Sequence, residues 1–323
     1  MKDYYRILEV SPNASEKVIR AAFNALSLEY QNDTTRRTLL NEAKEVLLEG
    51  GRADYDRERN KKERKVIGNY KIVAKIAEGG FGVTYKGEHL MLKTPVCIKH
   101  AHNISSIDEE LMLEEARAVW DLRHWAIPAV REVVKLDDGS CAIVMSYVPG
   151  PTLQSVIEKS GALDAEHVCW ITERVLNALK YLHHHGVVHG DVKPANIIIQ
   201  PDTHQVVLVD YGLSLVRPKA DTVNKGYTPM FASPEQERGM PLLPESDLFG
   251  LGVSMIFALG GDVPTRRVPA STPDALCRFI KKLVQFNVMA RPNWAKEDLC
   301  QTLSDVREEA FGRRFSNMKP LPV

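Results

Sequence analysis

Lys99, Glu115, Asp191, Lys193, Asn196 and Asp210 are the side chains whose types and spacing could carry chemistry. Lys99 closes the apolar run Val96-Cys97-Ile98, where a lysine ordinarily turns to solvent. Glu115 falls in the series Leu111, Glu115, Ala118 and Leu122, which places a carboxylate on an otherwise apolar helix face. Burying it unpaired would cost several kcal/mol, so Lys99 is its expected partner. Glu114 lies about 100° round the helix and is the poorer candidate. Further along, His189-Gly190-Asp191-Val192-Lys193-Pro194-Ala195-Asn196 precedes apolar Ile197-Ile198-Ile199, and a second apolar run ends in Asp210-Tyr211-Gly212. An amide and a carboxylate at strand ends suit an oxygen-loving cation such as Mg2+. Ahead of all these stands Ile76-Ala77-Glu78-Gly79-Gly80-Phe81-Gly82. Glycines in such a turn let backbone N–H groups approach phosphate oxygens with no Cβ in the way.

The elements that must position these residues begin with alternating, strand-like residues from Tyr70 to Lys75, then the glycine turn, the Lys99 strand and a helix starting near Ser105-Ser106. Before residue 65 the chain reads as helices. Ser15 is placed to cap one, with Val18, Ala22, Leu26 and Tyr30 on its inner face. A second spans Arg37 to Leu48 with Leu40, Ala43 and Leu47 inward, stopped by Gly50-Gly51. The two are expected to pack as an antiparallel pair. The run Asp56 to Lys65 carries six basic and three acidic residues with no apolar anchor, and reads as a solvated linker.

With 44% apolar and 26% charged residues in 323, the chain has the balance of a soluble globular protein of about two domains. Forty-two basic and 42 acidic residues leave no net charge, so neither nucleic acid nor a membrane is an expected partner. The five cysteines form no C-x-x-C pair, the first residues lack an apolar leader, and the greasiest stretch, Leu248 to Leu259, is too short to span a bilayer. A cytoplasmic location is expected. His183-His184-His185 reads as a solvated helix end, and Trp120 and Trp125 as packing behind the Glu115 helix.

Glycine turn, strand lysine, helix glutamate, His-x-Asp-x-Lys-x-x-Asn, Asp-Tyr-Gly and Ser233-Pro234-Glu235 follow one another in an order that resembles Hanks-type Ser/Thr protein kinases, over about residues 68 to 310. The resemblance implies an α+β, bilobal protein-kinase-like fold: a β-rich N-lobe and hinge over 68–148 and a helical C-lobe over 149–323. It implies ATP and Mg2+ as cofactors and a protein as substrate. Lys99, held by Glu115, would contact the α- and β-phosphates; Asp210 and Asn196 would bind Mg2+; Asp191 would orient the substrate hydroxyl, with Lys193 at the transferred phosphoryl group. The nucleotide pocket would comprise Ile76, Ala77, Gly79, Gly80, Phe81, Gly82, Cys97, Lys99, Met145 as gatekeeper, hinge residues Ser146, Tyr147 and Val148, then Ile198 and Asp210. Thr228 would support Asp191, Glu235 would pair with Arg291, and Asp247 would bind the backbone of the loop carrying Asp191. Gly190 stands where many of these kinases have an arginine that receives a phosphate. The resemblance is therefore to the non-RD type, with activity independent of phosphorylation between Asp210 and Glu235.

Residues 1–57 resemble a J-domain, through Asp3-Tyr4-Tyr5, Ile7-Leu8, Val10-Ser11-Pro12, Ala14-Ser15, Asn41-Glu42-Ala43 through Leu47, and Tyr55-Asp56-Arg57, with 58–67 as the charged linker. In place of that family's His-Pro-Asp stands Gln31-Asn32-Asp33, and from Ser15 to Tyr30 Lys17 and Arg20 are balanced by Glu16 and Glu29. The module is expected to dock a regulatory partner and not to activate a chaperone. Two other readings compete with the protein kinase. His189-Gly190-Asp191 also resembles the loop of small-molecule phosphotransferases, and a kinase fold with a J-like module could serve as a non-catalytic scaffold or co-chaperone.

Overall fold

The computed structural model describes residues 2–11, 14–31, 33–56, 66–79, 82–101, 106–136, 139–200 and 202–314. Gly80 and Phe81 of the glycine turn, Pro12, Asn32, Arg57, Ser105 and most of the charged linker lie outside them. The chain forms two compact units, one ending at Val66 and the next beginning at Ile67.

The first unit holds α1 (Tyr4–Ile7), α2 (Glu16–Glu29) and α3 (Thr34–Leu48), followed by a helical turn at 52–56. Its core is Tyr5, Leu8, Ile19, Leu26, Leu40, Ala43, Leu47 and Tyr55. The buried face of α2 is centred on Ile19 and Leu26, with Phe23 and Tyr30 partly buried against the core, while Val18 stands 49% exposed. Of the expected inner residues, Leu26 and Tyr30 pack on this core and Ala22 is half-buried, while Val18 gives its place to Ile19, which leads the i, i+4, i+7 series of Ile19, Phe23 and Leu26. Ser15 occupies the N-cap position but makes no side-chain capping bond, whereas Asp33 caps α3 by accepting from Arg36 N at 2.9 Å. The ends of this small unit are tied together. Tyr5 Oη donates to Asp56 at 2.6 Å, and Tyr55 Oη accepts from Tyr4 N and donates to Lys2 O, both at 2.9 Å. Burial and the Asp56 carboxylate push the Tyr5 phenol up to about 12.

The second unit has the expected α+β architecture, a six-stranded sheet followed by a mainly helical part. The strands are β1 (Val66–Ile67), β2 (Tyr70–Gly79), β3 (Gly82–His89), β4 (Pro95–His100), β5 (Val130–Lys135) and β6 (Cys141–Ser146), ordered β1-β2-β3-β4-β6-β5. Period-two alternation sorts them. Val96, Ile98, Ala142 and Val144 pack with Ile67 and Tyr70 on one face, while Lys99 and Ile143, register partners, share the other. That second face meets α4 (Ser106–Val119), which inserts Met112, Glu115, Ala116 and Val119. Leu111, expected inward, is only half-buried, and Leu122 is buried but lies beyond the helix end.

The helical part comprises α5 (Leu153–Ser160), α6 (Ala165–His184), α7 (Pro234–Glu237), α8 (Pro244–Ala258), α9 (Asp274–Leu283) and α10 (Leu299–Phe311). Nearly every side of α8 is buried, as expected for a helix apolar all round, and it packs against α6 and α9 at the centre. Between helices run the short strands β7 (Val187–Val188), β8 (Ile197–Gln200), β9 (Gln205–Leu208) and β10 (Leu215–Val216), paired β7 with β10 and β8 with β9. Among the described residues no helix is long and apolar enough to cross a membrane.

Candidate active site

Strand β4 presents Lys99 opposite Thr84 of β3 and Ile143 of β6, so all three share the face toward α4. Its ammonium lies 2.9 and 2.8 Å from the two Glu115 oxygens and 2.7 Å from Asp210 Oδ1. Burial pulls the lysine down, but the two carboxylates outweigh it and hold Lys99 above its usual range. Burial also pushes Asp210 up, and Lys99 more than reverses this, leaving that carboxyl below its ordinary value. Burial raises Glu115, opposed by Lys99 and by the more distant Lys225. Cys97, two residues before Lys99 and paired with Met145 across the sheet, has its thiol pushed up to about 11 by burial, so it stays a neutral wall at pH 7.

The hairpin β8–β9 sets the distance between the two oxygen donors. Ile197 pairs with Leu208, and Val209 N donates to Asn196 O at 2.9 Å, so Asn196 and Asp210 emerge together at the open end. Asn196 spends its amide hydrogens on Asp191 O and Oδ2, both at 2.9 Å, which turns its carbonyl oxygen away from Asp191. Asp210 holds a left-handed backbone, φ +66°, an uncommon conformation for a residue with a side chain. One amide oxygen and one carboxylate oxygen are the hard donors that suit Mg2+, which completes its shell with water and phosphate. Among the described residues no three His, Cys, Asp or Glu side chains gather into a self-sufficient metal cage.

Asp191 is fixed from three sides. Thr228 Oγ1 donates to Oδ1 at 2.6 Å, Asn196 Nδ2 to Oδ2, and Lys193 Nζ lies 2.7 Å from Oδ2 while donating to Thr228 at 2.7 Å. The loop itself hangs on Asp247 of α8, whose oxygens accept from His189 N and Gly190 N, each at 2.8 Å. Gly190 has φ +78°, and a Cβ there would stand 2.7 Å from Leu213 O, so the loop closes onto the segment after Asp210 only with glycine at this position. Gly82 meets a similar limit, since a Cβ would fall 2.2 Å from His100 O beside Lys99.

Two residues of the site were not expected. His183 donates from Nε2 to Asp247 Oδ2 at 2.7 Å and accepts from Trp294 Nε1 at 2.8 Å. Its side chain is 2% exposed, so it is an internal prop of the loop and not a solvated helix end. The signal lay in the helix period: His183 follows Leu179 by four residues and Leu176 by seven, both fully buried. Trp120 and Trp125 are 44% and 45% exposed, which corrects their reading as packing behind α4. Trp125 instead carries the Arg174 guanidinium 5.5 Å above its ring.

The residues expected to line a nucleotide pocket lie on β2, β6 and β8 and next to them. Ile76 and Ala77 are exposed on β2, Gly79 ends it, Met145 and Ser146 end β6, and Val148 follows. Ile198 lies on β8, bridged to Thr152.

Residues 70–310 match the family described as protein kinase domain. The chain is 31% identical over 208 residues to the serine/threonine-protein kinase pkn3 of Myxococcus xanthus, across 60% of this chain and 38% of that protein. It is 34% identical over 201 residues to PknL of Mycobacterium tuberculosis, across 60% and 50%, and 29% identical over 248 residues to PknA of the same species, across 70% and 57%. These alignments take in between 38% and 57% of the relatives' own lengths.

Proposed function

Since the chain belongs to the protein kinase domain family, we propose that it transfers the γ-phosphate of ATP to serine and threonine hydroxyls of proteins. The observation that carries this reading is the joint placement of the Lys99–Glu115–Asp210 cluster and the Asp191–Lys193–Thr228 cluster. Lys99 is positioned to take the α- and β-phosphates, with Glu115 fixing its ammonium. Asp191 is aimed to orient the acceptor hydroxyl and receive its proton, and Lys193 stands beside it as the positive charge for the phosphoryl group in transit. Asp210 and Asn196 would hold Mg2+, which neutralises phosphate charge when bound. The names of the relatives support Ser/Thr acceptors. Five free cysteines suit a reducing cytoplasm.

In the test, the full chain is incubated with radiolabelled ATP and Mg2+, with itself and a mixed protein fraction as acceptors, and the label is assigned by phosphoamino-acid analysis. Label on phosphoserine and phosphothreonine is expected. Lys99→Met should lower it roughly 10²–10³-fold, the usual cost of one preorganised charge on a reacting group. Label appearing on aminoglycosides or choline-like amines and not on protein would replace this reading with a small-molecule phosphotransferase. No label with nucleotide still bound would replace it with a scaffold.

For the first unit we infer a J-like docking or regulatory module without chaperone activation. Its support is the motif set at Tyr4-Tyr5 and Tyr55-Asp56, joined by the Tyr5–Asp56 and Tyr4–Tyr55 hydrogen bonds, together with the balanced charge of α2. The full chain is accordingly expected to leave the ATPase rate of a heat-shock chaperone at its basal value. A dose-dependent rise would overturn the inference.

A further inference from the structure

Two neighbouring carboxylates on α4 do different things. Glu115 turns inward to Lys99, while Glu114 meets Lys225 at 2.9 Å. Lys225 belongs to the segment between Asp210 and Glu235, and although it is a lysine its side chain is only 9% exposed. The residues on either side of it are fastened to the body of the domain. Asn224 Nδ2 donates to Met240 O at 2.6 Å, and Gln236 Nε2 donates to Gly226 O at 3.3 Å and to Gly190 O at 2.7 Å. Lys225 is therefore a cation delivered to α4 from a fixed base, so little chain entropy is lost on pairing, unlike in an ordinary surface pair. The same stretch has no arginine beside Asp191 to anchor it, since Gly190 stands there with no room for a side chain.

We propose that Lys225 and Glu114 are positioning residues: their ion pair straps α4 to the segment after Asp210 and so keeps Glu115 on Lys99 without any phosphate on that segment. This rests on the phosphoryl-transfer reading above. Neither residue lies in the Lys99 or Asp191 clusters, so the strap acts through α4, beside the weaker pull of the Lys225 charge on Glu115. With Lys225 in that position, a phosphate on Thr222 is not needed to supply a partner for α4.

The experiment compares the full chain with Glu114→Gln, Lys225→Met and the charge-swapped double variant Glu114→Lys/Lys225→Glu. Steady-state kcat and the ATP KM are measured, together with amide hydrogen exchange over residues 109–119. Each single variant should lose between about two- and thirtyfold in kcat/KM, the range for residues that bias an element touching neither ligand. The swap should recover most of the loss, and exchange of the helix amides should speed up in the singles and slow again in the swap. Phosphatase treatment should leave the wild-type rate unchanged. Singles matching wild type in both rate and exchange, or a swap no better than the singles, would overturn the strap. A wild-type chain without transfer activity whose α4 amides still respond to the singles and the swap would overturn the phosphoryl-transfer reading and leave the strap standing.

Discussion

Asp191→Asn is expected to lower kcat for protein phosphorylation by roughly 10²–10⁴-fold, the usual contribution of a positioned base, while nucleotide affinity and the melting temperature stay near wild type. The separation follows from how the residue is held. The loop conformation depends on Asp247 accepting from His189 N and Gly190 N, and on Ser214 Oγ donating to His189 O at 2.9 Å; none of these bonds uses the Asp191 side chain. Asn196 keeps its other bond, to the Asp191 carbonyl. Asparagine fills the same volume and can still accept from Thr228 through one oxygen. Its amide nitrogen then faces Asn196 Nδ2 and Lys193 Nζ, both donors, and it cannot take a proton from an acceptor hydroxyl. Single-turnover labelling with nucleotide titration in parallel would read both quantities. A variant that kept its rate would remove Asp191 from the chemistry. One that lost nucleotide binding to the same degree as rate would show that Asp191 shapes the ATP pocket as well.

Much of this site is legible in the amino-acid sequence, for reasons particular to its residues. Lys99 and Glu115 are legible because each breaks an apolar pattern, and two opposite charges on buried faces need one another. Asp191, Asn196 and Asp210 are legible because polar residues at the ends of apolar strands have no packing role to explain them. His183 was illegible by type, since three consecutive histidines suggest a wet helix end, although its period placed it with Leu176 and Leu179. Trp294 lies 111 residues from His183, and no local pattern carries a contact of that separation. On α2 only the first inward position was misassigned, because Val18 and Ile19 are similarly apolar and only packing chooses between them. Glu114 was legible only as a failed partner for Lys99. Its actual partner sits on a segment without regular structure, where periodicity has nothing to say.

Arg291→Ala is expected to destabilise the second unit by about 3–5 kcal/mol, the cost of stripping one partner from a buried ion pair. Arg291 is 3% exposed and Glu235 6%, and the guanidinium grips the carboxylate with two bonds of 2.6 and 2.8 Å. Its remaining hydrogens go to the carbonyls of Gln285, Glu245 and Phe286, so all five donors are used and three backbone acceptors from two separate stretches of chain converge on one side chain. Alanine leaves those carbonyls and a buried carboxylate without partners, and lysine cannot reproduce the fork. Burial pushes Glu235 up, but Arg291 and Ser246 more than offset it and hold the folded carboxyl below 4.5. A carboxyl depressed on folding contributes stability above its unfolded value, and that contribution fades as pH falls through the folded one. In Arg291→Ala the sign reverses, because the unpaired carboxyl is raised by burial and prefers to be protonated. Denaturant melts should therefore show the largest gap between wild type and variant at neutral pH, narrowing as the pH falls from above the ordinary glutamate value of about 4.3, where the stranded carboxyl of the variant takes a proton, to below it, where the paired one does. Adding Glu235→Gln to Arg291→Ala should recover part of the loss at pH 7, since it removes the stranded charge. A gap that stayed constant with pH would mean that the lost carbonyl bonds, and not the charge on Glu235, account for the instability.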